Sequence, residues 1–312
     1  MRTLPLGPTG TAVPNVVAGM MRIDDKTDDE VKALYTAARD AGIDFFDHAD
    51  IYAQSLHSAE TRFAEALDLS SSERDEIRLQ TKAGIVREGP YFDFSYDHLV
   101  SSVEASLRAL RTDYVDVLLL HRPDALVEPE EVARAFDHLE AAGKVRAFGV
   151  SNHTPRQIDL LRTAVRQPIV ANQVQLSIAH APLLVQGLAS NMESTGQSVV
   201  RDGGGLVEYC RIEGITLQAW SPIQGTRAGG GTFLGNPEYA ELNAVIDELA
   251  ARYDVTALAI AVAWITRHPA GIQVVLGTTT PQRITDAAAG SQIALTRAEW
   301  YALVRAAGYI VP

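Results

Sequence analysis

The feature that most constrains this chain is an alternation that repeats from end to end. Short apolar runs recur at residues 16–19, 43–47, 77–81, 114–121, 145–150, 169–175, 215–220 and 272–276. Each is followed by a polar turn and a stretch with helical periodicity. Most of the runs are apolar throughout rather than alternating, which is the pattern of parallel strands covered on both faces. Between them, Leu99, Val103, Leu107 and Leu110 repeat at helical spacing, as do Val132, Phe136 and Leu139. Eight strand–helix units in 312 residues predict an α/β fold, a single (β/α)8 TIM barrel spanning residues 1–312. The opening segment, 3–13, holds two short extended pieces around Pro8-Thr9-Gly10 and is expected to form an N-terminal β-hairpin closing the barrel floor.

Punctuation supports the same frame. Thr27-Asp28-Asp29-Glu30 and Thr296-Arg297-Ala298-Glu299 have the form of capping boxes. Thr154-Pro155 and Thr280-Pro281 have the form of an N-cap followed by proline, and Ala41-Gly42 and Ala142-Gly143 of helix stops. Two stretches break the rhythm: 189–205, ending in Gly203-Gly204-Gly205, and 223–235, containing Gly229-Gly230-Gly231. Both read as long loops.

Charge narrows the function. Asp and Glu total 39 against 27 Lys and Arg, a net charge of −12. That balance opposes a binder that tracks nucleic-acid phosphates. The lone Cys210 forms no internal disulfide and leaves a thiolate metal site without ligands. The first ten residues lack the apolar run of a signal peptide, and no window approaches the ~20 apolar residues of a membrane span. A cytoplasmic protein without membrane or nucleic-acid partners is expected. Nothing in the sequence bears on its oligomeric state.

In such a barrel the reactive groups sit at the carboxyl ends of the strands. Asp47 ends the second run, Lys82 follows the third and His121 ends the fourth. Tyr52, five residues past Asp47, can fold back over the same point. A free tyrosine titrates near pH ~10, so its proton is useful at neutral pH only if a cation stabilises the phenolate. Lys82 can supply that cation and Asp47 can hold it. His121 could hydrogen-bond the same substrate oxygen. The set suits protonation of a carbonyl oxygen while a hydride reaches carbon, and no side chain supplies hydride, so a nicotinamide cofactor is implied. Taken singly these residues have plainer readings: a structural ion pair for Lys82, structural roles for His48 and His153, core for Trp220. Their joint placement favours chemistry. Three other functions compete: a cofactor-binding regulatory barrel with little turnover, a Schiff-base enzyme using Lys82, and a metal hydrolase built on His48, Asp50 and His121.

Seven segments in order resemble the aldo-keto reductase family. They are the run from Asp47 to Tyr52, Thr81-Lys82, Leu118-Leu119-Leu120-His121-Arg122-Pro123, Gly149-Val150-Ser151-Asn152, Asn172-Gln173-Val174, Ala219-Trp220-Ser221-Pro222 and the stretch 276–284. The wording around Asp47 and the ending Ala-Ala-Gly-Tyr-Ile-Val-Pro look most like a bacterial oxidoreductase branch. The resemblance implies that Tyr52 is the general acid in reduction, Lys82 lowers its pKa, Asp47 fixes Lys82 and His121 orients the carbonyl. It implies that Ser151, Asn152 and Gln173 hydrogen-bond the nicotinamide carboxamide and that Trp220 stacks on its ring. Ser221, Ile223, Gln224 and Gly225 match a loop over the pyrophosphate. Gly277, Thr278 and Arg283 fall in the segment that contacts the 2′-phosphate of NADP. Many members carry lysine where this chain has Gly277, and Asp286 and Ala287 stand where a carboxylate and an amide often follow. NADP(H) is therefore expected to be preferred, with NAD(H) possible. No metal is implied. The substrate is expected to be a small-molecule carbonyl compound in a pocket lined by Met20, Met21, Ile23, Ile85 and Arg122. That mostly apolar lining favours small aldehydes, diketones or aromatic carbonyls over charged sugars. Arg122 could face an acid group or pair with Asp124.

Overall fold

A computed structural model of the chain describes residues 1–190, 192, 196–200, 204–226 and 231–312. Gly203, Gly229 and Gly230, and with them parts of both expected long loops, lie outside the described residues. Strands β1 (Thr3–Leu6) and β2 (Thr11–Pro14) pair antiparallel around a single tight turn at Gly7–Thr9. Gly7 has φ 57°, and a Cβ there would come within 2.5 Å of the Val170 backbone, so only glycine lets the hairpin press this closely on the barrel. The Gly7 N–H donates to Thr216 Oγ1 at 2.8 Å, and that hydroxyl donates to the Pro5 carbonyl at 2.9 Å. Leu6 and Val13 pack against Val17, Phe45, Val117 and Val170 inside the barrel. The hairpin closes the floor.

The barrel strands are β3 (Val16–Gly19), β4 (Phe45–Asp47) and β5 (Arg78–Ala83). After a short ribbon of β6 (Ile85–Val86) and β7 (Tyr91–Phe92) come β8 (Val117–Leu120), β9 (Phe148–Ser151), β10 (Ile169–Gln175), β11 (Thr216–Trp220) and β12 (Gln273–Leu276). The ring runs β3-β4-β5-β8-β9-β10-β11-β12, and β12 returns to β3 with Val274 opposite Val16. All eight ring pairings are parallel.

Strand limits differ from the sequence reading where a helix stop or turn takes residues. Ile43 closes the preceding helix, its N–H donating to the Ala38 carbonyl, so β4 starts at Phe45. Val115 and Val145 form only an isolated bridge, so β8 and β9 start later than expected. In the opposite direction, β5 runs on to Ala83 and carries Lys82 within it. The capping boxes at Thr27 and Thr296 are present, and Thr154 makes one with Gln157. Thr280 begins its helix without a side-chain cap. Instead its own N–H donates to Thr278 Oγ1 at 3.1 Å. Among the described residues no single helix is long and apolar enough to cross a membrane.

Candidate active site

The carboxyl ends of the strands open on a cleft of about 760 Å³. Strand geometry decides what faces it, because alternate side chains point into the barrel. Asp47 is the last residue of β4, and its register partner on β5 is Gln80. Lys82 lies two positions further on and so faces the same side. The turn after β4 is held by the Asp50 N–H on the Lys82 carbonyl and the Tyr52 N–H on the Ala49 carbonyl, both at 3.1 Å. That turn brings Tyr52 back over the lysine.

Lys82 is completely buried. Its ammonium donates to both Asp47 oxygens at 2.7 Å, to the His48 carbonyl at 2.8 Å and to Tyr52 Oη at 2.8 Å. The His121 ring stands edge-on to Tyr52 with centroids 5.8 Å apart. The four side chains expected to act together therefore meet, with Asp47, Tyr52 and His121 on the cleft wall and Lys82 directly behind Tyr52.

Their charge states follow from burial first. Burial pushes the Tyr52 phenol well above the ordinary tyrosine range, and the Asp47 carboxylate adds to the push. The Lys82 ammonium, 2.8 Å from the phenol oxygen, opposes that push by favouring the phenolate. Tyr52 thus carries its proton at neutral pH. Burial pulls Lys82 below the ordinary lysine range while Asp47 works to restore it. Burial, then the positive Lys82 and Arg122, hold His121 well below its ordinary value, so its imidazole is neutral. Its Nδ1 is buried with no hydrogen-bond partner among the described residues.

One wall of the cleft is a continuous polar network. Ser151 Oγ donates to the Gln173 carbonyl at 2.9 Å, Asn152 Nδ2 donates to Ser151 Oγ at 2.8 Å, and Trp220 Nε1 donates to Asn152 Oδ1 at 3.1 Å. Asn152 and Ser221 sit at φ 61° and 53°, left-handed conformations that are costly away from glycine and gather at functional sites. Ile223 and Gln224 continue this wall, and Gly277, Thr278 and Arg283 line the far end. Met21 and Arg122 also face the cleft.

Other candidates fall elsewhere. Met20 and Ile23 are fully buried in the core between barrel and helices, not on the cleft wall. They follow β3 closely, and the chain there turns inward, the Met20 N–H donating to the Asp47 carbonyl at 2.9 Å. Ile85 belongs to the β6–β7 ribbon and lies off the wall. Gly225 is one residue beyond it, packed so tightly on Tyr239 that a Cβ would meet the phenolic hydroxyl oxygen at 2.6 Å. Asp124 accepts the Phe94 and Leu126 N–H groups rather than pairing with Arg122. The Arg122 guanidinium lies 5.8 Å from the Trp220 ring centre.

The proposed metal ligands separate: His48 packs against Phe63, with ring centres 4.8 Å apart, while His121 faces the cleft. Burial lowers both His48 and His153 to about 4, which keeps them neutral.

Sequence reasoning missed Arg22. It lines the cleft and reaches across the β3–β12 seam to the Gly277 carbonyl at 3.4 Å. A cation three residues past a barrel strand was the available signal. Arg22, Arg283 and Thr278 thus line the same cleft as the flat Trp220 indole and the Tyr52 phenol. The two guanidinium groups would suit phosphate oxygens and the indole a flat ring, so a nicotinamide dinucleotide fits that lining.

Residues 15–307 match the model of the aldo/keto reductase family. A 6-dehydroglucose reductase of Agrobacterium fabrum is 36% identical over 299 residues, 92% of each chain. The oxidoreductase YdhF of Escherichia coli K12 is 33% identical over the full length of both chains. A thermostable aldo-keto reductase crystallised with the inhibitor epalrestat superposes with a TM-score of 0.77 at 24% identity, over 98% of this chain and 100% of its own, and so shares the fold. Barrel, site geometry and these matches agree: the chain belongs to the aldo/keto reductase family of oxidoreductases.

Proposed function

We propose that the protein reduces aldehyde or ketone carbonyls to alcohols with NADPH, using Tyr52 as the proton donor. The observation that carries this reading is the buried Asp47–Lys82–Tyr52 chain, with Lys82 Nζ 2.8 Å from Tyr52 Oη at the inner wall of the cleft. Bound nicotinamide supplies the hydride. Tyr52 Oη gives its proton to the carbonyl oxygen as negative charge develops there. Lys82 stabilises the phenolate left behind, and Asp47 keeps the ammonium in place. Neutral His121 offers a hydrogen bond to the same oxygen without competing for the proton. Ser151, Asn152 and Gln173 would hold the carboxamide of the nicotinamide, and the Trp220 indole would offer its ring a flat face. Arg283, Thr278 and Arg22 would receive phosphate oxygens. Arg22 supplies the second cation at the position where Gly277 replaces lysine, which favours NADPH over NADH.

Met20, Ile23 and Ile85 lie off the cleft wall, so they give no preference for apolar carbonyls. A sugar aldehyde, as in the name of the Agrobacterium relative, belongs in the screen beside small aliphatic and aromatic aldehydes.

NADPH titration followed by tryptophan fluorescence, then turnover over that panel, tests the reading. Tyr52→Phe should lower kcat by about 10²–10⁴-fold, the usual contribution of a general acid, and leave the NADPH Kd unchanged. Undiminished turnover would remove Tyr52 as the acid. Tight NADPH binding with no turnover on any carbonyl would favour a regulatory barrel instead.

A further inference from the structure

Between the Asp47–Lys82 pair and the apolar cluster above the floor, one layer of the barrel interior carries amides where apolar side chains would be the default. Gln80 on β5, Gln173 on β10, Gln218 on β11 and Gln273 on β12 are each buried. Register puts them at one level: Asp47 is opposite Gln80, Gln173 is opposite Gln218, and Gln218 is opposite Gln273. Gln80 Nε2 donates to Asp47 Oδ1 at 2.5 Å and Gln173 Nε2 donates to the same oxygen at 2.9 Å. Both nitrogens also donate to Gln218 Oε1, at 3.0 and 3.1 Å. Gln218 Nε2 donates to Gln80 Oε1 at 3.1 Å and to Gln273 Oε1 at 2.9 Å. Gln273 Nε2 ends the chain on the Pro14 carbonyl at 2.6 Å.

The two ends of this network can only accept, since one is a carboxylate and the other a backbone carbonyl. That fixes every amide between them. The Pro14 carbonyl turns the Gln273 nitrogen towards the floor and its oxygen towards Gln218. Gln218 then turns its own oxygen upward, and Gln80 and Gln173 must present nitrogen, never oxygen, to Asp47.

We propose that these four glutamines are positioning residues: an amide relay anchored on the barrel floor that aims two N–H donors at Asp47 and so directs the charge of Lys82 to Tyr52. The proposal rests on the assignment of Tyr52 as acid and base. The physical reason is competition. Asp47 and Tyr52 both accept from one ammonium. N–H dipoles at Asp47 Oδ1 offset part of the carboxylate charge, which weakens its hold on Lys82 and its repulsion of a Tyr52 phenolate. A purely apolar layer would fill the same space at no polar cost, but it would leave Asp47 to the lysine alone.

Tyr52 also faces His121 and Arg122 across the cleft and Asp50 in its own turn, with His48 and Glu60 behind the lysine. Those groups are common to all the proteins compared below, so a difference between them isolates the relay.

The experiment is the pH dependence of kcat/KM for alcohol oxidation, which needs the Tyr52 phenolate, in wild type, Gln80→Met and Gln218→Met. An ultraviolet difference titration of tyrosinate, each protein against its own Tyr52→Phe partner, runs beside it. Gln218→Met touches neither Asp47 nor Lys82, so an effect there must pass through the relay. We expect the ascending limb and the Tyr52 titration to move to higher pH by about one unit in Gln80→Met, a tenfold smaller phenolate fraction at a given pH below the limb, and in the same direction in Gln218→Met. A fall in rate of equal size at every pH, with the limb fixed, would make the glutamines structural and overturn the proposal. If a methionine variant does not fold, Gln80→Leu removes the N–H donor with a shorter, branched apolar side chain. It should move the limb the same way, and an unmoved limb there overturns the proposal too. Absence of turnover in wild type would count against the assigned function instead, and the tyrosinate titration would still decide the relay.

Discussion

Replacing Lys82 with methionine tests the centre of the site without any substrate. The stem is preserved and the ammonium is lost. Asp47, whose side chain is 2% exposed, then loses both 2.7 Å contacts with Lys82 and keeps the N–H groups of Gln80 and Gln173. Removing one member of a buried pair costs about 3–5 kcal/mol, because the other charge is left uncompensated. The two remaining amide donors place this case at the lower end, about 3 kcal/mol. At roughly 2 °C per kcal/mol for a chain of this length, the melting temperature should fall by about 6 °C. Adding Asp47→Asn removes the stranded charge. The double variant should therefore recover at least half of the loss, a coupling of about 1.5 kcal/mol or more. Melts of the four proteins of this cycle at pH 7, without cofactor, give the answer. The coupling should persist at high salt, since a buried pair is screened far less than a surface one. A Lys82→Met protein that melts within about 1 °C of wild type, or a double variant whose loss equals the sum of the single losses, would show that the pair does not act as one energetic unit.

Two further outcomes follow from the cleft and the region behind it. Arg22→Ala and Arg283→Ala should each weaken NADPH binding by about tenfold or more, the worth of a charged hydrogen bond, and leave NADH nearly unchanged; calorimetry with both cofactors checks this, and equal losses for the two would refute the 2′-phosphate assignment. Asp50 is buried with Oδ1 unpartnered among the described residues, and burial, then Glu60, raises its carboxyl to about 7. The folded state then binds more protons than the unfolded one between about pH 4 and 7, so stability falls as pH rises through that window. Asp50→Asn should match wild type near pH 4 and exceed it at pH 8, by up to roughly 4 kcal/mol; a stability difference independent of pH would place the charge penalty elsewhere.

What the sequence made legible is what depends on local pattern. Strand period and helix stops locate the carboxyl ends of β4, β5 and β8, and with them Asp47, Lys82 and His121, because a barrel turns all such ends to one mouth. What stayed hidden depends on ring closure. Arg22 and Gly277 are 255 positions apart and meet only because β12 pairs with β3. No local feature separates Gln80, Gln218 and Gln273 from polar residues at strand edges, yet in the closed ring they share one level beneath Asp47. The errors at Met20, Ile23 and Ile85 have the same origin. Proximity to a strand end predicts membership of the mouth, but only the direction taken by the next few residues decides whether a side chain faces cleft or core. At Met20 that direction is set by a hydrogen bond to the neighbouring strand. The groups proposed to do the chemistry are thus readable one strand at a time, whereas the groups that contact them from other strands are properties of the ring.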